Sequence, residues 1–193
     1  MESGNQIDVI DVLSIIVPSA ITIVGFVVSY IINKRNHYQS IQQIKAEKQI
    51  SDLYSILNDV FKFLDILLPL YAQQEDILNN FRELKERIYT TVVSAGSKDA
   101  VNIMTYIQEM TYSGIDDGVE VPSYQVIASY VLLAMQIKYD VTGVEISPLT
   151  WYKGRFTTQK MLAVSNFYDD SIIEINNIVD QLKLNSFLRI NEM

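Results

Sequence analysis

The apolar positions of this chain form one unbroken run followed by several helical stripes. From Val12 to Ile32 the sequence VLSIIVPSAITIVGFVVSYII carries no charged side chain. A helix over that run rises ~31 Å, close to the ~30 Å hydrocarbon layer of a bilayer, which predicts a transmembrane helix. Its flanks are polarised. Glu2, Asp8 and Asp11 precede it, while Lys34, Arg35, His37, Lys45 and Lys48 follow it with only Glu47 opposing them. Positive charge stays on the cytoplasmic side, so the expectation is a single-pass inner-membrane protein. In that topology the tail 1–11 lies outside, the span covers 12–32, and 33–193 is a cytoplasmic helical domain. An acidic leader without Lys or Arg fits an uncleaved anchor better than a signal peptide. Lys34, Arg35 and Tyr38 would then sit at the headgroup level, with the lipid bilayer itself as a partner.

Within the run, Ser14, Pro18, Thr22, Gly25 and Ser29 recur at spacings of four, four, three and four. On a helix these small and hydroxyl-bearing residues share one stripe. Two roles are open to it: a seam on which helices associate closely, or the water-facing lining of a ring of helices. The plainer alternative is that each hydroxyl bonds the carbonyl four residues before it.

No glycine or proline interrupts the chain between Gly25 and Pro69, so one rod is expected to continue past the apolar run. Its later part sets Ile50, Leu53, Leu57, Val60, Leu64 and Leu67 at threes and fours, the seam of a helix packed on another helix. A second helix is expected over about 73–93, with Ile77, Leu78, Phe81, Leu84, Ile88 and Val92 inward and a Glu83–Arg87 pair supporting it. Ser94-Ala95-Gly96-Ser97 breaks it, and Ser97 is an N-cap for a helix through Val101, Met104 and Ile107. After a loop over 112–123, a helix over about 124–139 buries Ile127, Val131, Ala134 and Ile137 along one edge and stops at Gly143. Ser147-Pro148 reads as a cap with proline at the first helical position, opening a short turn that contains Trp151 and closes at Gly154. The last helix is expected over about 157–184, with Met161, Tyr168, Ile172, Ile175, Val179 and Leu182 on its seam. No stretch alternates with a period of two. The predicted fold class is all-α, a membrane helix continuing into a helical bundle.

Composition narrows the chemistry. The chain has 193 residues, no cysteine and a single histidine. Disulfides, thiolate nucleophiles and multi-histidine metal sites are thereby excluded. A net charge of -8 makes nucleic acid a poor general partner. Asp116 and Asp117 before Gly118 have the composition of a solvated turn and lack EF-hand spacing. Asp170 and Glu174 share a helix face, read as solvated. His37 in the basic flank has no acid or base near it in sequence. Trp151, Lys153, Arg155 and Lys160 group an aromatic ring with three cations, the composition of an RNA or lipid contact. A hinge with Trp151 plugged into the bundle explains the same residues more plainly. No enzyme activity, metal or cofactor is expected.

One apolar span joined to a bundle of long helices resembles the small membrane accessory proteins of type VI-B CRISPR loci. The resemblance lies in layout across most of the chain. It implies a HEPN-like bundle, assembly into a membrane ring or pore, and a role in antiviral defence. HEPN ribonucleases use an arginine and a histidine separated by four to six residues; here Arg155 is followed at that spacing by Lys160, and no histidine occurs after His37. Lysine does not take up a proton at neutral pH as histidine does, so RNase activity is not expected. The functional expectation is a self-assembling homo-oligomer that perturbs or permeates the membrane. A membrane-tethered HEPN-like RNA-binding or ribonuclease domain is one alternative. A non-catalytic scaffold or receptor that docks a cytoplasmic protein is another.

Overall fold

The computed structural model describes residues 9–67, 76–116, 123–155 and 165–191. Among these the chain is helical with no strand. The helices are α1 (Val9–Leu67), α2 (Asp76–Ala95), α3 (Lys98–Asp116), α4 (Ser123–Thr142), α5 (Pro148–Arg155) and α6 (Ser165–Leu182), followed by a 3-10 turn (Ser186–Leu188). The chain divides into two compact units, Met1–Glu47 and Lys48–Met193.

The membrane expectation is corrected. Among the described residues no helix is long and apolar enough to cross a membrane. A single-pass topology with its N-terminus outside is therefore not supported, and neither is the inner-membrane location derived from it. The uninterrupted helix through and beyond Gly25 is present as α1.

The second unit is organised by α4. Every residue from Ile127 to Ile137 is buried, so this helix is covered on all sides rather than along one edge. The reason is compositional: between Tyr124 and Lys138 the sequence offers no charge to keep any face in water. α4 packs on α3, α5, α6 and the 3-10 turn. The Phe63 and Tyr130 rings, 4.4 Å apart, join it to α1. The buried apolar residues of α1 here are Leu53, Ile56, Val60, Phe63 and Leu64, whereas Ile50 is exposed and Leu57 half-buried. The inward stripe is thus rotated from the expected one toward Ile56 and Phe63.

Caps and turns fix the connections. Gly96 lets α2 and α3 meet closely, since a Cβ there would lie 2.6 Å from the Val92 carbonyl oxygen. Ala100 N–H donates to Ser97 Oγ at 3.2 Å, the expected N-cap of α3. Ser97 N–H donates to the carboxylate of Asp140 at 3.4 Å, and Gln136 Nε2 donates to the same carboxylate at 2.8 Å. That places a negative charge from α4 at the positive end of α3. α4 stops at Gly143, whose φ of +67° suits glycine. Leu149 N–H donates to Ser147 Oγ at 3.3 Å, capping α5 behind Pro148. α5 runs one residue past Gly154, and α3 extends to Asp116, five residues into the expected loop. After α6, Asn176 clamps the tail: its Nδ2 donates to the Ile190 carbonyl at 3.0 Å and its Oδ1 accepts from Ile190 N–H at 2.9 Å.

Tyr130 is only 1% exposed, and its hydroxyl has no hydrogen-bond partner among the described residues. An unpaired buried hydroxyl costs ~1–3 kcal/mol. Tyr130→Phe is therefore expected to stabilise the fold by about 1 kcal/mol and to raise the midpoint of thermal unfolding by about 2–4 °C. Calorimetry checks this, and a lowered midpoint would show that the hydroxyl is paired after all.

Candidate interaction surface

In the first unit the sequence sets large apolar residues around most of α1, with Thr22, Gly25 and Ser29 on the remaining face. Ile21, Val24, Val28 and Ile31 follow one stripe at threes and fours. Ile23, Phe26, Val27 and Tyr30 cover much of the remainder. All of these side chains are exposed, from 48% at Val28 to 73% at Phe26. Ile32 is half exposed as well. Scattered surface apolar residues are ordinary, but a contiguous exposed set of this size marks a contact surface.

The small-residue stripe is present in part. Thr22 Oγ1 donates to the Pro18 carbonyl at 2.8 Å, so this hydroxyl is engaged within its own helix as the plainer reading held. Gly25 has no atom within 4 Å of where a Cβ would stand, leaving open space beside the helix. Pro18 and Ser29 are exposed, and the Ser14 side chain lies outside those described. Lys34, Arg35, His37 and Tyr38 are all exposed on the polar continuation of α1.

The cluster proposed around Trp151 is not assembled as a binding face. Trp151 is buried and meets the Tyr152 ring edge-on at 5.0 Å. Tyr152 in turn packs edge-on against Tyr168 of α6 at 5.7 Å. Stacking on a base is therefore closed to Trp151. Arg155 pairs with Asp65 of α1 at 3.0 Å, tying α5 to that helix. Lys153 is exposed, whereas Lys160 lies outside the described residues. The Arg155–Lys160 spacing consequently has no geometry to examine. Residue 117 lies outside the described residues, and so does the side chain of Asp116.

Two polar arrangements were not foreseen. Asp59 is buried between Ile56 and Val60 on the inner face of α1. Its carboxylate accepts from the Arg87 guanidinium of α2 and lies 3.5 Å from Lys62 Nζ. The sequence pairs Arg87 with Glu83 on its own helix, whereas the guanidinium reaches across to Asp59 of α1. Two cations around one carboxylate satisfy a buried charge that would otherwise be costly. A shallow groove on this side is lined by Tyr54, Asn58, Asp59, Lys62 and Arg87. The only sequence signal was an aspartate within an apolar stripe; its partner stands 28 residues away.

Glu174 is the second case. It is buried rather than on a solvated face, and Tyr106 of α3 donates its hydroxyl to the Glu174 carboxylate at 3.0 Å. Burial first, and then the negative charge of Glu174, push the Tyr106 hydroxyl up to about 12. No family model, curated protein or solved structure matches this chain.

The Tyr106 shift fixes a sign. The folded state holds this proton more tightly than the unfolded chain does, so its contribution is complete below pH ~10 and is lost as pH rises through about 12. Urea unfolding of Tyr106→Phe is expected to show a shallower loss of stability over that window than the parent. Buried Tyr130 and Tyr152 shift in the same direction, so some slope remains. An unchanged slope would contradict the Tyr106–Glu174 contact.

Proposed function

We propose that this protein is a non-catalytic assembly protein that forms homo-oligomers through the apolar stretch Ile21–Ile32 of α1. Its second unit then serves as the surface offered to a protein partner. The observation that carries the reading is apolar side chains exposed around most of the circumference of that stretch, with the small residues Thr22, Gly25 and Ser29 on the remaining face. A helix apolar on all sides is one that other helices cover.

Magnitudes favour assembly. Fully burying one large aliphatic or aromatic side chain is worth ~1.5–3 kcal/mol, so covering even half of this surface yields on the order of 10 kcal/mol. That is comparable to the ~4–15 kcal/mol lost in rigid-body freedom on association. Polar contacts need add only a modest surplus. Chemistry of the second unit supports the non-catalytic part. Asp59, Arg87, Arg155 and Glu174 are each engaged in holding one helix against another.

Sedimentation equilibrium in detergent-free buffer tests the reading. The parent chain is expected as a multiple of 22.1 kDa at micromolar concentration. Val27→Asp, which puts a charge on the apolar surface, is expected to weaken association by at least ~100-fold, about 2.7 kcal/mol. A parent chain that sediments as a monomer throughout would contradict the proposal.

A further inference from the structure

On α2 the sequence sets Arg82, Lys85, Glu86 and Tyr89 at spacings of three, one and three, so the four share one face of the helix. α3 carries Gln108 and Tyr112 one turn apart. After the tight turn at Gly96, α3 packs against α2, and these six residues line one groove of about 480 Å³. Small-molecule sites commonly have volumes of ~300–1,000 Å³.

The polar groups of this groove are not engaged within the fold. Arg87, elsewhere on α2, is bound to Asp59. Arg82 and Lys85, by contrast, form no ion pair among the described residues. Lys85 is half-buried, and burial pushes its ammonium below the usual lysine range. An anion seated beside such a cation supplies the counter-charge it lacks. Tyr89 and Tyr112 are 40% and 62% exposed and meet no other ring among the described residues, so their faces are open to stacking. The Gln108 amide offers two donors and an acceptor, and its side chain forms no hydrogen bond among the described residues.

Two cations and two open aromatic faces in one groove are the means of holding a phosphate joined to a flat base. We propose that the groove between α2 and α3 binds a nucleoside monophosphate, with Arg82 and Lys85 on the phosphate, Tyr89 and Tyr112 against the base and Gln108 at the base edge. Charge limits the phosphate group to one. A phosphate monoester carries about −1.5 to −2 at neutral pH, which two cations neutralise. Glu86, the one carboxylate in the lining, opposes further negative charge and accepts from a sugar hydroxyl. The net charge of -8 disfavours a longer polynucleotide for the same reason. The groove lies wholly within the second unit, so this inference stands apart from assembly through α1.

Isothermal titration calorimetry of the full-length protein tests the site, with adenosine 5′-monophosphate, adenosine and inorganic phosphate as separate titrants. The monophosphate is expected to bind at least ~10-fold more tightly than either fragment. Arg82→Gln and Lys85→Gln are each expected to weaken it by about tenfold or more, with the midpoint of thermal unfolding within ~2 °C of the parent. Tyr112→Ala is expected to weaken the monophosphate and adenosine but not inorganic phosphate, and added salt weakens the monophosphate more than adenosine. No saturable heat with the monophosphate up to ~1 mM would overturn the proposal, as would full affinity in both cation variants. Inorganic phosphate binding as tightly as the monophosphate would overturn it by making the groove a plain anion site. A single-stranded RNA held through Lys85 more tightly than the monophosphate would overturn it in favour of a polymer.

Discussion

Water tolerates a helix with one apolar face when that face is turned inward. It does not tolerate a helix apolar on every face unless other atoms surround it. This chain meets that constraint twice, with opposite outcomes. In α4 the stretch Ile127–Ile137 is enclosed by α3, α5, α6 and the C-terminal turn, and every residue in it is buried. In α1 the stretch Ile21–Ile32 has the same character, and every residue in it is exposed. The described residues of its own unit cover the first and leave the second exposed.

The rest of the second unit follows from enclosing α4. Several polar groups that the enclosure traps are satisfied in pairs: Asp59 by Arg87 and Lys62, Glu174 by Tyr106, and the Gln136 amide nitrogen by Asp140. Each pair joins different helices or holds a helix end, so each also fixes how neighbours are aligned. Removing one member of such a pair leaves a buried charge or amide behind, which is why these contacts constrain the fold more than their net energy suggests. Gly96, Gly143 and the Ser97 and Ser147 caps set where one helix stops and the next begins.

Much of this was legible in the sequence. Local signals carried the caps at Ser97 and Ser147, the stop at Gly143 and the absence of strands among the described residues, because each depends on a few adjacent residues. The burial of Trp151 was legible too, as the plainer of two readings. Relations across the chain were not. Asp59 has no partner near it in sequence, and its pairing with Arg87 of α2 appears only in the fold; Glu174, read as solvated, is buried against Tyr106. The inner stripe of α1 turned toward Ile56 and Phe63 because Tyr130 meets Phe63, a contact that periodicity does not reveal. The apolar run was visible from the start, but hydropathy says only that a surface avoids water. Reading it as a membrane span supplied a covering that no helix among the described residues supports.

Hydrogen–deuterium exchange as a function of protein concentration tests the central claim most directly. Amides of Ile21–Ile32 are expected to exchange rapidly at nanomolar concentration and to become protected as copies assemble, while amides of Ile127–Ile137 stay protected throughout. Exchange over Ile21–Ile32 that is the same at every concentration would contradict the account, because it would mean that no other copy of the chain covers this surface.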